Sequence, residues 1–226
     1  MSNKILVWDI PTRTFHWLLA LSFVGAFVTG DSERYRDIHL LLGYILLALI
    51  GFRLIWGVVG TRYARFSSFW FKPSAIVNYV RSMFQAKPQH YIGHNPAGSV
   101  AIFLLLGLGL LCGLSGLAIT NEIGGEWLEE LHELSANAML AVVIVHIVGV
   151  FMSSFLHREN LARAMIAGTK SGEPAEGIQQ RHAWLGLLLL VAVITMGYAY
   201  LYKDWAPPGL APLSQQPIAT KQRQHD

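Results

Sequence analysis

The chain has 226 residues, 53% of them hydrophobic and only 14% charged, a balance that excludes a disordered or ordinary water-soluble chain. The net charge is only +3, and membrane topology accounts for the basic loops without invoking nucleic acid. The single cysteine, Cys112, excludes an internal disulfide, an iron–sulfur cage and a CxxCH haem attachment within the chain.

Five apolar runs are long enough to read as membrane spans, at about 15–29, 39–59, 98–120, 131–156 and 184–202. The first is short and ends at Gly30. It holds His16 and runs into TGDSE, so it reads as a true span and not as a cleavable leader. Residues 30–38 form a short connection, which makes spans one and two antiparallel neighbours. Between spans two and three, Ile76, Val80, Met83 and Phe84 recur at helical spacing after Pro73. That pattern predicts a surface helix in the membrane interface. HNPAG at 94–98 breaks the chain and starts span three, where Gly107, Gly109, Gly113 and Gly116 favour close helix packing, or else close approach of a bound group. The expected fold is all-α: an integral membrane helical bundle in one domain, 1–202, followed by a Pro-rich, extended tail at 203–226.

Charge sets the expected orientation. Arg62, Arg65, Lys72, Arg81 and Lys87 follow span two with no acid among them. Glu122, Glu126, Glu129 and Glu130 lie between spans three and four with no base. Arg158, Arg163, Lys170 and Arg181 follow span four. The positive-inside rule places the N-terminus and the basic loops in the cytoplasm, and the 31–38 turn, the acidic loop and the C-terminal tail on the other side.

Two histidines, His132 and His146, stand fourteen residues apart in span four. Fourteen helical residues rise about 21 Å and come within roughly 40° of whole turns. The two imidazoles therefore share one face at opposite depths, as two stacked haems require. An imidazole inside AVVIVHIVGVF is costly in lipid unless it is neutral and occupied. Matching by depth pairs His16 with His146 on the inner side and His39 with His132 on the outer side. Each pair would hold one six-coordinate haem b, an electron-transfer arrangement. Arg53 lies fourteen residues after His39 and so sits at the inner haem's depth, where propionates would satisfy its charge. Arg13 is a second candidate there, and Gly30, fourteen residues from His16, would let the outer haem approach the first helix. His90, His94, His157 and His182 fall in loops or at helix ends and fit a ligand role less well.

RTFHW at 13–17, HLLLGY at 39–44, GHNPAG at 93–98, the His132/His146 pair and HRENLARAMIAG at 157–168 together resemble the prokaryotic dihaem cytochrome b561 family. They also resemble the b-type cytochrome subunits of nickel–iron hydrogenases. The resemblance covers about residues 5–170. It implies a four-helix dihaem core with the same two histidine pairs, plus a fifth C-terminal span similar to that of hydrogenase-type members. It also implies a place in the bacterial inner membrane and electron exchange with quinone. The expected function is electron transfer across the bilayer between the quinone pool and a periplasmic redox partner, such as a cytochrome c. Whether the chain acts as a subunit or as an enzyme stays open. One alternative is a superoxide:quinone oxidoreductase acting alone, which would favour a positive funnel at the outer haem. Another is a non-redox, proton-coupled transporter, which would favour intramembrane acids and broken helices.

Overall fold

The computed structural model describes residues 3–85 and 88–202; the 203–226 tail and Lys87 lie outside the described residues. Helix α1 (Ile10–Thr29) starts where Asp9, in extended backbone, accepts the Thr12 N–H at 2.8 Å, with Pro11 in the first turn. That start is five residues earlier than hydrophobicity alone suggests, because the cap and not the apolar run sets the boundary. A 3₁₀ turn (Glu33–Tyr35) leads into α2 (Arg36–Val59). Helix α3 (Pro73–Ser82) is the short helix expected after span two. Helix α4 (Pro96–Thr120) is capped by Asn95, whose side chain accepts the Gly98 N–H at 2.7 Å. Helix α5 (Glu126–His157) takes in most of the acidic loop. Glu126 and Glu129 occupy its first turn, where carboxylates favour the helix dipole, so the helix begins five residues before the apolar run.

Helix α6 (Leu161–Ala167) ends at Gly168, whose φ of +82° a side chain would rarely adopt. Helix α7 (Ala183–Tyr202) closes the described chain. The sequence did not suggest the small ribbon in which β1 (Asn3–Leu6) pairs antiparallel with β2 (Thr169–Gly172), Leu6 opposite Thr169. It ties the N-terminus to the segment after α6.

Four stretches are long and apolar enough to cross a membrane: Glu33–Val59, Pro96–Thr120, Glu126–His157 and Ala183–Tyr202. Helix α1 is also 20 residues long, but Arg13 and His16 dilute its apolar character. Its C-terminal half still exposes Leu21, Val24 and Val28, as α5 exposes Val145, Phe151 and Phe155 and α7 exposes Leu187 and Ile194. Apolar surface of this extent suits lipid and not water. The chain is thus an all-α integral membrane helical bundle.

Helix α1 packs along α2 and α7, and α4 along α5 and α2. The core between them holds Phe15, Phe23, Leu49, Ile50, Leu106 and Met139. Gly109 and Gly113 of α4 sit against Ile50 and Leu47, at distances that leave no room for a methyl group. Among the described residues α5 scarcely approaches α1 or α2 at the backbone, although it lies beside the same bundle.

Helix α3 keeps its apolar residues at the surface and is anchored by one ring. Its buried anchor is Tyr79, 1% exposed, whereas Val77, Val80 and Phe84 stay exposed together with Trp70. The apolar face at Val80 and Phe84 is left for the membrane interface, and the aromatic ring supplies the protein contact.

Candidate functional site

At the acidic-loop end, the structure brings His39 of α2 and His132 of α5 to a ring-centroid distance of 6.1 Å, with planes at 73°. A metal–imidazole bond is about 2 Å, and each ring centre lies about 1.1 Å beyond its nitrogen, so two rings on one metal ion stand about 6 Å apart. Each ring is also oriented by a carbonyl. The Nδ1 of His39 lies 2.9 Å from the Ala26 carbonyl of α1, and the Nδ1 of His132 lies 2.9 Å from the Cys112 carbonyl of α4. Each carbonyl can only accept, so both Nδ1 atoms carry the proton and both Nε2 atoms are left as lone-pair donors.

Close walls hold the His132 ring. A Cβ at Gly116 would stand 2.9 Å from His132 Cε1, and the Ser115 hydroxyl is 3.3 Å from its Nδ1. Gly116 looked like a packing glycine in the sequence; here it makes room for an imidazole. Gly30 lies beside His39, where a Cβ would be 3.7 Å from Cε1, an ordinary contact. Gly43, one turn after His39, faces open space.

At the basic-loop end, His16 of α1 and His146 of α5 lie within electrostatic reach of each other. Arg53 of α2 and His94 join them, forming one cluster of four polar side chains inside the bundle. Arg53 is 3% exposed, and its guanidinium lies 4.7 Å from the Phe66 ring centre. The buried atoms His16 Nδ1, Arg53 Nη1 and His94 Nδ1 have no hydrogen-bond partner among the described residues. An unpaired buried cation is strongly unfavourable. The nearby acid, Asp9, already accepts from Thr12, from Trp56 Nε1 at 3.2 Å and from the Thr61 hydroxyl at 2.6 Å. Such a cluster fits a group with a Lewis-acidic centre and carboxylates of its own. Haem b, with its iron and propionates, has that chemistry.

Arg13 is placed elsewhere. Its guanidinium donates to the Ile166 carbonyl at the end of α6 and packs on Gly168. That contact completes the last turn of α6, while Arg13 Nε is buried with no hydrogen-bond partner among the described residues.

His94 is the residue the sequence reading set aside. The loop before α4 folds inward beneath the β ribbon, and the ring packs at a tilt of 54° between Trp8 at 4.6 Å and Phe69 at 4.4 Å. Burial first, then the nearby cation and imidazoles, push its pKa down to about 3, so it stays neutral. The only sequence signal was its place directly before the Asn95 cap. His182 lies against Trp56, and His90 and His157 lie 5.1 Å apart near the surface.

Residues 7–168 match the family described as prokaryotic cytochrome b561. A "Probable Ni/Fe-hydrogenase B-type cytochrome subunit" of Azotobacter chroococcum is 28% identical, the match covering 74% of this chain and 88% of that protein. A protein of the same description from Rhizobium leguminosarum is 24% identical over 74% of this chain and 89% of its own length. The "Probable Ni/Fe-hydrogenase 1 B-type cytochrome subunit" of Escherichia coli K12 is 28% identical over 51% and 60%. No solved structure gives a significant match. The family match spans the whole stretch that carries the paired histidines, the buried arginine and every long apolar helix except α7, so this chain belongs to the prokaryotic cytochrome b561 family and is a membrane b-type cytochrome.

Proposed function

We propose that the chain holds two haem b groups, one between His16 and His146 and one between His39 and His132, and passes electrons between them across the membrane. The carrying observation is the pair of imidazoles 6.1 Å apart, each turned by a backbone carbonyl to present its Nε2. The unpartnered His16, Arg53 and His94 atoms support an equivalent site at the other end. Haem b supplies a one-electron Fe(III)/Fe(II) couple. The protein's own part is to fix the imidazole tautomers, to keep water out with apolar helices, and to set Arg53 where an anionic propionate is stabilised. His132 and His146 share one face of α5, about 21 Å apart along the axis, which puts the two sites on opposite sides of the bilayer's middle.

In this reading α1 is a fifth span, the N-terminus and basic loops are cytoplasmic, and the acidic-loop end is periplasmic. The membrane is the bacterial inner membrane. The relatives' names suggest a hydrogenase as redox partner. In this reading it docks at the outer face, and quinone is the other electron partner. A periplasmic cytochrome c would use the same outer site. A stand-alone superoxide activity is less well supported. Arg36 lies 3.7 Å from Glu33, and Arg34 lies over the Tyr35 ring, so the outer turn offers no free positive funnel.

The test is a pyridine haemochrome count with a dithionite-reduced spectrum of the purified protein. Two low-spin b haems per chain are expected. His146→Ala should remove one and His39→Ala the other. Retention of both haems in either variant would refute the pairing, and a colourless protein from haem-replete cells would refute the whole assignment.

A further inference from the structure

Below the His16/His146 cluster, at the basic-loop end, a cavity of about 30 Å³ is lined by polar groups from five segments. Helix α3 contributes Tyr79, the 88–95 segment His90, the end of α5 Ser153 and His157, the following turn Glu159, and β2 Lys170. None of them has a part in holding the proposed haems. Lys170 is 5% exposed, and its ammonium sits 3.0 Å from Glu159 Oε2 while also donating to the Tyr91 carbonyl at 3.2 Å. His90 Nε2 reaches the same carboxylate oxygen at 3.4 Å from a side chain that is 42% exposed. The other oxygen, Glu159 Oε1, is buried and has no partner among the described residues. A buried ion pair is costly to keep and seldom earns its place by stability alone. A water needs only about 10–15 Å³ of such space, so the cavity has room for one beside polar partners.

The inner end of this cluster points toward the redox site. The Tyr79 and Ser153 hydroxyls lie 3.0 Å apart and buried. Ser153 is seven residues after His146 on α5. Seven helical residues rise about 10 Å and fall within roughly 20° of two full turns, so Ser153 continues the His146 face. Burial pushes the Tyr79 phenol above its usual range, which keeps it a neutral hydroxyl able to accept and donate together.

We propose that this cluster is a proton-uptake relay, running from solvent at His90 through Glu159 and a bridging water to the Tyr79–Ser153 pair, that supplies protons to quinone reduced beside the His146 face. The inference rests on the proposed quinone reading. Reduction of one quinone consumes two electrons, delivered singly through the haems, and two protons, one forming an O–H bond at each quinone oxygen. Each proton leaving Ser153 is replaced from water at His90, and Lys170 holds the carboxylate in place as a fixed counter-charge. His157, with its ring 5.1 Å from that of His90, is the other titratable group facing the path, and Tyr91 flanks it.

The experiment mixes dithionite-reduced holoprotein, freed of excess reductant, with a short-chain ubiquinone and follows haem reoxidation by stopped flow. The variants are E159Q, Y79F, H90Q and the charge-balanced pair E159Q/K170M, which keeps the pocket neutral if E159Q alone fails to fold. Reoxidation slowed at least about tenfold in E159Q/K170M and Y79F is expected, since a positioned acid–base group commonly contributes that much or more. Haem content and spectrum should be unchanged, and added formate or azide should restore part of the rate at Glu159. Variants that reoxidise at the wild-type rate would overturn the relay and leave the quinone reading standing. A wild-type protein that never exchanges electrons with quinone would overturn both.

Discussion

Replacing Gly116 by alanine tests the outer site without touching a ligand. The new Cβ would stand 2.9 Å from His132 Cε1 and 3.1 Å from its Nδ1. Comfortable carbon contacts are about 3.5–4.0 Å, so the ring must retreat by roughly 0.6–1 Å. That shift carries the 2.9 Å bond from His132 Nδ1 to the Cys112 carbonyl outside the normal range. Its loss costs about 0.5–1.5 kcal/mol, and overpacking adds about 1–3 kcal/mol. Alanine's helix propensity returns about 1 kcal/mol. The net is about 0.5–3.5 kcal/mol against haem held by His132, a roughly twofold to few-hundredfold loss of affinity at that site. Gly107 on the same helix is the control, because a Cβ there meets nothing within 4 Å. The assay is haem per chain and the reduced spectrum after detergent purification, with redox titration of whatever haem remains. Gly116→Ala should lose the outer haem preferentially and keep the inner one, while Gly107→Ala should look like wild type. A Gly116→Ala protein with two haems at unchanged midpoint potentials would refute the placement of the His132 ring.

Arg53→Gln should lower the inner haem's midpoint potential in a redox titration, because the buried cation favours the reduced, more negative state; an unchanged potential would separate Arg53 from the haem. Asp9→Ala removes a helix cap and two side-chain hydrogen bonds, and should destabilise the fold by roughly 2–4 kcal/mol, read as a fall in the detergent melting temperature. His94 gives a pH signature. Its folded pKa of about 3 lies below the ordinary 6.5, so below pH 6.5 the unfolded chain binds a proton that the folded chain does not. Stability should therefore fall as pH drops below about 6.5, by up to about 1.4 kcal/mol per pH unit from this group, and His94→Gln should flatten the melting-temperature profile between pH 6.5 and 5.

The apolar runs made the helices legible, because lipid demands long uninterrupted stretches with every backbone group satisfied internally. The fourteen-residue spacing of His132 and His146 made their shared face legible for the same reason: helical geometry is periodic and local. What escaped is non-local. Asp9 closes α1 onto the end of α2 through Trp56 and Thr61, contacts across about fifty residues that no periodicity encodes. His94 looked like a loop residue because nothing in HNPAG says that the loop turns inward under β1 and β2. Arg13 shared a helix face with His16 in the sequence, yet a carbonyl at the end of α6, 153 residues away, takes its guanidinium. Gly116 was hidden by its neighbours Gly109 and Gly113, which do serve packing.

The two ends of the bundle treat their imidazoles differently, and the difference bears on electron flow in the proposed reading. Both outer rings donate Nδ1–H to a carbonyl, from Ala26 and from Cys112, which raises the basicity of the opposite nitrogen. A more basic ligand favours the ferric state and lowers a haem's potential. At the inner end the buried Arg53 cation stands beside the histidine cluster. That charge favours the ferrous state and raises the potential there. The carbonyl bonds at one end and the buried charge at the other therefore act in the same direction, making the basic-loop end the more oxidising of the two. An electron that enters at the acidic-loop end then moves downhill toward His16 and His146, the end where the Glu159 cluster meets solvent.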